Sequence, residues 1–549
     1  MLARASARPG GRDRAAPGEW LGVPRLFVPA LLAAAVIAGG LPAQAGPAPA
    51  GRAPALSYLH VGTAGDGTAQ VLDAEGRVVL LRGVNVNGME DYYQDSRTPL
   101  ATPYPTAPAA YEDGRCPAAN HAVETMAVCS FDAGQIKGLG YDVVRLALSW
   151  SLLEPEAGRI SARHLDRVAQ VVGWFRAKGV RVMLDLHQDA WSKYVFTAEG
   201  TSCPPGFNRV GGYHEADGAP SWATSHQLPA CALGGVRELD GAVQANFEAF
   251  YADQAAPDGV GLQEHYAAVL AALVRRFAHD PTVAGYDLMN EPSPGFTPGL
   301  SSAALLLRID AAFVAAMRAA VPDFRQLVVI EPEVTRDVTD QGAVALPWSA
   351  FSPYPNVVYG PHVYPGVFTP DAALADAAGT PRFVPVHASY LQAERDARVL
   401  GLPLWVGEFG GSVSDDSTYL RGHYVEQDLA RVGGALWVWK EFSRGHDSVL
   451  HDPFGRGVPY PSRVLVTDRG YPEAVNGWVT SLSYEPDSGG FLLSADGGRP
   501  GGPPTLLHLP ARARGPVRTQ GATVRVTPLP SGDRAVVVSP TSASYRVQV

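Results

Sequence analysis

The sequence predicts an α/β fold, a (β/α)8 TIM barrel, followed by a small C-terminal all-β sandwich domain. Three observations carry that expectation. From Arg77 to Trp439 short apolar runs alternate with longer amphipathic stretches, the rhythm of strand and helix units around a parallel sheet. After about Ser443 the rhythm changes to β-rich runs spaced by Gly, Pro, Ser and Asp, which suit a sandwich. A chain of 549 residues, 46% hydrophobic and 18% charged, exceeds one ordinary domain and can bury a large core.

Eight strands are expected in order: Val79 to Val86, Val143 to Leu148, Val182 to Leu186, Ala284 to Met289, Leu327 to Ile330, Val357 to Tyr359, Leu404 to Gly407 and Gly434 to Val438. Between them Leu165 to Lys178, His265 to Phe277 and Ala303 to Ala320 have helical periodicity, each followed by a Gly or Pro stop. Further on, Phe491-Leu492-Leu493, Thr505-Leu506-Leu507, Thr523 to Val526, Ala535 to Val538 and Ser544 to Val547 read as sandwich strands, packed on the barrel without a long tether. The implied division is 1–45 leader, 46–76 lead-in, 77–443 barrel and 444–549 sandwich.

The leader reading rests on five arginines (Arg4, Arg8, Arg12, Arg14, Arg25) before the apolar run Leu26 to Ala38, with Ala43-Gln44-Ala45 as a cleavage site. Secretion with cleavage near Ala45 is expected. The alternative, an uncleaved membrane anchor, requires a run of roughly 20 apolar residues that Pro29 and Pro42 interrupt. Beyond that cut lie Cys116, Cys129, Cys203 and Cys231, and an oxidising compartment makes them disulfides. Loop locality favours Cys116 with Cys129 and Cys203 with Cys231. Forty-four basic against fifty-four acidic residues, net −10, would repel a polyanion, so no nucleic-acid partner is expected. A monomer is expected.

In a barrel the active site collects at the carboxyl ends of the strands. Polar residues crowd those ends here. They are Arg145 on strand two, Asp185-Leu186-His187-Gln188-Asp189 after strand three, Asn290-Glu291-Pro292 after four, Glu331 and Glu333 after five, His362-Val363-Tyr364 after six, Glu408-Phe409-Gly410 after seven and Trp437-Val438-Trp439 after eight. Two glutamates facing each other from strands four and seven suit two-carboxylate chemistry. Cleaving a glycosidic bond needs one carboxyl to protonate the leaving oxygen and another to attack the anomeric carbon. Arg145 and Tyr364 suit Glu408 as the ionised nucleophile, and Glu291, with no cation expected beside it, suits the acid. No metal or cofactor is required, although Asp185, His187 and Asp189 also read as a possible metal set. Apolar residues in the loops after the strands (Met89, Tyr92, Tyr93, Trp191, Tyr194, Val195, Phe196, Phe296, Val367, Phe368) predict an apolar rim beside the cleft, where a lipid surface would make peripheral contact.

This strand-end set, in this order, resembles glycoside hydrolase family 5 of the retaining clan over roughly Arg77 to Ser443. Asp185 to Asp189, and the β-domain with Tyr471-Pro472-Glu473-Ala474-Val475, are similar to their counterparts in the endoglycoceramidases of that family. The resemblance implies Glu291 as acid/base, Glu408 as nucleophile, Asn290 on the sugar 2-hydroxyl, Tyr364 beside the nucleophile, and His187 and Asp189 on other hydroxyls. Arg145 and His362 complete the site, and Trp439 would be the platform under the sugar ring, with Trp437 left to packing. The implied substrate is a glycolipid or oligosaccharide with a gluco-configured sugar. One departure stands out: the segment Asn87 to Tyr93 after strand one lacks the lysine that the resemblance leads one to expect there.

Overall fold

The computed structural model describes residues 56–89, 127–210, 218–234, 236–296, 300–340, 346–365, 384–410, 417–441, 449–451 and 458–549. The leader, Cys116, Tyr92, Tyr93, Val367 and Phe368 lie outside them. Among the described residues no helix is long and apolar enough to cross a membrane.

The barrel strands are β1 Gly83–Val86, β2 Val143–Ser149, β3 Arg181–His187, β4 Val283–Asp287, β5 Leu327–Ile330, β6 Val357–Tyr359 continued by His362–Val363, β7 Val406–Phe409 and β8 Gly434–Leu436. All pair in parallel in the order β6-β5-β4-β3-β2-β1-β8-β7, and the continuation of β6 pairs with β7. Tyr359 bridges Leu404 just before β7, so the ring closes through the two pieces of β6. Nearly every strand residue is buried, as expected when helices cover the outside and side chains fill the inside.

Local chemistry explains most boundaries. Helix Ala162–Lys178 begins at Ser161, whose side chain accepts from the His164 N–H, and ends at Gly179 with φ 67°. Its buried residues Val168, Val171, Val172 and Phe175 recur at helical spacing and contribute about 1.5–3 kcal/mol each on burial. Helices Leu262–Phe277 and Leu300–Ala320 each begin three residues earlier than periodicity suggested. β1 is the larger departure. Leu81 sits at φ 51° and breaks the apolar run, so the regular strand begins at Gly83. The chain entering β8 crosses that break closely: a Cβ on Gly433 would lie 1.4 Å from the Leu80 carbonyl oxygen.

The C-terminal strands are β9 Tyr471–Ala474, β10 Trp478–Glu485, β11 Gly490–Asp496, β12 Thr505–Leu509, β13 Arg518–Gln520, β14 Ala522–Pro528, β15 Arg534–Pro540 and β16 Tyr545–Gln548. They form two four-stranded antiparallel sheets, β9-β12-β15-β14 and β10-β11-β16-β13. Alternate residues such as Leu493, Ala495, Leu507, Val536, Val538 and Val547 share one core between them. The first sandwich strand therefore begins at Tyr471, ahead of the first run expected from sequence but beyond the expected boundary at 444, with helix Pro461–Thr467 lying between. It packs directly on the barrel. Val78 and Val475 exchange backbone hydrogen bonds at 2.9 and 2.8 Å, Lys137 pairs with Glu473 at 2.9 Å, and Arg82 lies among the rings of Tyr141, Tyr424 and Tyr471 at 4.9–5.5 Å.

Cys203 and Cys231 form a disulfide across 28 residues, which stabilises by about 3.6 kcal/mol in the chain-entropy account. Cys129 is also disulfide-bonded, and its expected partner Cys116 lies outside the described residues.

Candidate active site

Arg145 organises the carboxyl end of the barrel. It is fully buried on β2, and every guanidinium N–H has an acceptor. Nε donates to Asp287 at 2.8 Å, Nη1 to Asn85 at 3.1 Å and Glu408 at 2.6 Å, and Nη2 to Asn290 and Glu331 at 2.9 Å each. Asp185 lies 3.0 Å from Nη2. One cation thus meets four carboxylates where water cannot help, which holds its pKa far above the ordinary arginine value despite the opposing cost of burial.

His362 is the second cation. On the continuation of β6 it stands in register with Glu408. Its Nδ1 lies 2.7 Å from Glu291 and 3.6 Å from Glu408, and its Nε2 3.3 Å from Glu331. Burial alone would keep the ring neutral; Glu331, Glu408 and the hydrogen bond to Glu291 overcome it and raise its pKa well above the ordinary value. Glu331 moves the other way, to about 2, because His362, Arg145 and the Glu291 N–H outweigh its burial. Asp287 is pushed well up by burial and by Glu331 against the pull of Arg145.

The two glutamates occupy different surroundings. Glu408 accepts from Arg145 on one oxygen and from the Tyr364 hydroxyl on the other, the latter at 2.8 Å, a pattern that suits an anion. Tyr364 itself is driven well above the ordinary phenol value by burial and by Glu408. Glu291 has its carboxyl raised, first by burial and then by Glu408 and Asp189, against the lowering hydrogen bond from His362. Its backbone is held at φ 38°, left-handed for a non-glycine residue, by three hydrogen bonds. The Glu291 N–H donates to Glu331 at 2.8 Å, while Gln188 Nε2 donates to the carbonyls of Asn290 and Glu291 at 2.6 and 2.9 Å. Strain so heavily over-determined is characteristic of functional positions.

A family model described as Cellulase (glycosyl hydrolase family 5) matches residues 131–443, more than half of the chain. The chain belongs to glycoside hydrolase family 5, and it is a glycoside hydrolase. Endoglycoceramidase I of Rhodococcus hoagii is 27% identical over 444 residues, covering 78% of this chain and 75% of that protein. A crystal structure of an endogalactoceramidase aligns with a TM-score of 0.71 at 28% identity, covering 90% of this chain and 100% of that one. Endo-glycoceramidase II from Rhodococcus sp., solved with ganglioside GM3, aligns with a TM-score of 0.66 at 25% identity, covering 88% and 99%.

Other members of this family 5 site depart from the sequence reading. His362 supplies the cation beside Glu291 that was not expected, because β6 is split at Gly360-Pro361 and its second piece lies against β7. Trp439 is not a platform. It is 1% exposed in the core and donates its indole N–H to Asp132 at 3.0 Å. Trp437 instead stacks on His187, with centroids 5.1 Å apart and planes at 10°. Alternation put both tryptophans on one side, but regular β8 ends at Leu436, so alternation no longer governs them. Asn290 is held by Arg145 and donates to the Gln188 carbonyl at 2.8 Å. Asp185, His187 and Asp189 do not converge as a ligand set: His187 pairs with Asp185 at 2.8 Å, whereas Asp189 turns to Arg237 at 3.1 Å. The residues missed in sequence, Asn85 and Asp287, had a signal, a lone polar residue within or at the end of an apolar strand run, whereas Gln188 was named at a strand end without its pinning role.

The apolar rim is also corrected. Met89, Trp191 and Val195 are buried, Trp191 packing edge-on to Trp150 and Phe247, while Tyr194 and Phe196 are partly covered. Of the described candidates only Phe296, 56% exposed, faces solvent broadly. Long loops need cores of their own, and these aromatics supply it. The tryptophan correction carries a measurable consequence. Trp437 is also buried, at 9% exposed, yet meets the site histidine, so Trp437→Ala is expected to lower kcat/KM about tenfold or more while costing less stability than Trp439→Ala. Trp439→Ala is expected to cost about 3–5 kcal/mol of stability through its cavity. Equal stability losses in the two variants would return Trp437 to the core.

Proposed function

We propose that this enzyme is an exported, retaining β-glycosidase that releases a glycan from a lipid aglycone of the ceramide type. The observation that carries the mechanism is the single histidine bridging both glutamates. His362 Nδ1 lies 2.7 Å from Glu291 and 3.6 Å from Glu408. A shared histidine between the carboxylates favours the close pair of a retaining enzyme, about 5–5.5 Å between carboxyl groups, over the ~6.5–9.5 Å of an inverting one. Glu408 then attacks the anomeric carbon while Glu291 protonates the leaving oxygen, and Glu291 subsequently takes a proton from the water that releases the sugar. Asn290 offers a remaining amide hydrogen to the 2-hydroxyl, His187 and Asp189 take other hydroxyls, and Trp437 supplies the platform.

The lipid aglycone is supported by the similarity to proteins named endoglycoceramidase and endogalactoceramidase over most of both chains. Incubation with mixed glycosphingolipids and with cellodextrins, read by mass spectrometry, should give intact glycan plus ceramide. Turnover of cellodextrins alone would replace the ceramide reading with a β-glucosidase or endoglucanase. Export by a leader cut near Ala45 predicts a mature N-terminus near Gly46 in the culture medium.

The Glu291–His362 contact predicts a signed pH effect. His362 lowers a carboxyl that burial, Glu408 and Asp189 raise. His362→Asn should therefore raise the Glu291 pKa and move the alkaline limb of kcat/KM upward, alongside a lower kcat. A purely structural role for His362 would lower activity without moving that limb.

A further inference from the structure

The segment between β3 and β4 forms a lobe at the catalytic end. Within it Phe207–Arg209 pairs antiparallel with Cys231–Leu233, and the Cys203–Cys231 disulfide staples the hairpin at its base. Phe207 stands directly opposite Leu233, and both are exposed, 38% and 46%. Directly opposed residues share a face, so the pair forms one apolar tip. Two successive turns, Val236 N–H to the Leu233 carbonyl and Leu239 N–H to the Val236 carbonyl, carry the chain to Leu239, also exposed.

The lobe is fastened to the catalytic strand ends. Arg237 grips Asp189 after β3 through its carboxylate at 3.1 Å and its carbonyl at 2.7 Å. Gln244 donates to the Glu238 carbonyl and to Ser293, two residues beyond Glu291, at 2.8 Å in the latter case. Glu248 of the same lobe accepts from the N–H of exposed Phe296. The exposed apolar groups are thus held beside the cleft on a cross-linked frame. Among the described residues this lobe carries no basic excess, since Asp189, Glu199, Glu238 and Glu248 stand against Lys193, Arg209 and Arg237. Nothing in that balance draws it to an anionic surface.

We propose that the stapled hairpin docks the enzyme on a zwitterionic lipid surface, inserting Phe207 and Leu233 so that the cleft meets a glycolipid in its own bilayer. The purpose rests on the glycolipid reading above; the docking does not. Charge does not drive it, so binding is insensitive to salt and is not enhanced by anionic lipid.

The test uses full-length mature protein with phosphatidylcholine vesicles free of glycolipid, followed by sedimentation. Wild type should co-sediment equally at low and high salt, and Phe207→Asp with Leu233→Asp should reduce partitioning about tenfold or more. That variant should keep its kcat/KM on a soluble aryl glycoside while losing turnover of vesicle-borne glycolipid. Phe207→Ser, a milder change, should give an intermediate loss and guards against misfolding of the double variant. Undiminished sedimentation of the double variant, binding only to anionic vesicles, or equal losses on soluble and vesicle-borne substrates would overturn the proposal. Vesicle binding through the hairpin without glycolipid turnover would uphold the docking surface and remove the ceramide reading instead.

Discussion

Glu408→Gln should reduce turnover of an aryl β-glycoside by about a thousandfold or more while the protein stays folded, because a neutral amide cannot form the glycosyl ester. The amide remains beside Arg145 and Tyr364, so the urea midpoint should move little. The decisive form of the experiment adds azide to smaller variants. In Glu408→Gly azide occupies the nucleophile's place and displaces the aglycone directly, giving a glycosyl azide of inverted configuration. In Glu291→Ala the intermediate on Glu408 still forms from a substrate with a good leaving group, and azide opens it with a second inversion, giving net retention. Chromatography and NMR of the two azides read the result. Exchanged anomers, retained from Glu408→Gly and inverted from Glu291→Ala, would mean that the two roles are reversed, and the same anomer from both would mean that the pair does not divide into nucleophile and acid/base.

Arg145→Met should be the most destabilising substitution at the site, costing about 3–5 kcal/mol, because it strands Asp185, Asp287, Glu331 and Glu408 with His362 as their remaining nearby cation. The pH dependence separates lost charge from lost packing. In the wild type Glu331, with its pKa near 2, contributes stability that is present above its unfolded value and lost as pH falls through about 2. Without Arg145 the buried acids are raised instead. A raised carboxyl favours folding below its unfolded value and loses that contribution as pH climbs through its folded one. The deficit of the variant should therefore be larger at pH 7 than at pH 5, read from urea midpoints by tryptophan fluorescence. An equal deficit at both would assign Arg145 a packing role alone.

The strand ends were legible because a barrel strand announces itself twice, by an apolar run buried on both sides and by the polar residue where that run stops. Leu327–Ile330 and Val357–Tyr359 coincide with their expected limits for that reason, and Glu291, Glu408, Arg145 and Tyr364 come together as the pattern implied. The disulfide at Cys203 and Cys231 followed from loop locality. The partner of Glu291 was not legible, because it depends on β6 being split and on which neighbour its second half chooses. Nor could sequence decide between Trp437 and Trp439, since alternation holds only while the strand is regular.

The amino-acid sequence by itself determined the barrel, the appended sandwich, the pair of glutamates and the arginine between them. These depend on periodicity and on residue type at strand ends, both of which are local. Tertiary structure alone decided which indole stacks on His187, which carboxyls share the charge of Arg145 and His362, and which loop apolar groups face water. Those outcomes depend on the burial and electrostatic field produced when distant segments meet. Trp191 and Phe207 lie in the same lobe and look alike in sequence, yet one is enclosed by Trp150 and Phe247 and the other stands at the tip of a stapled hairpin.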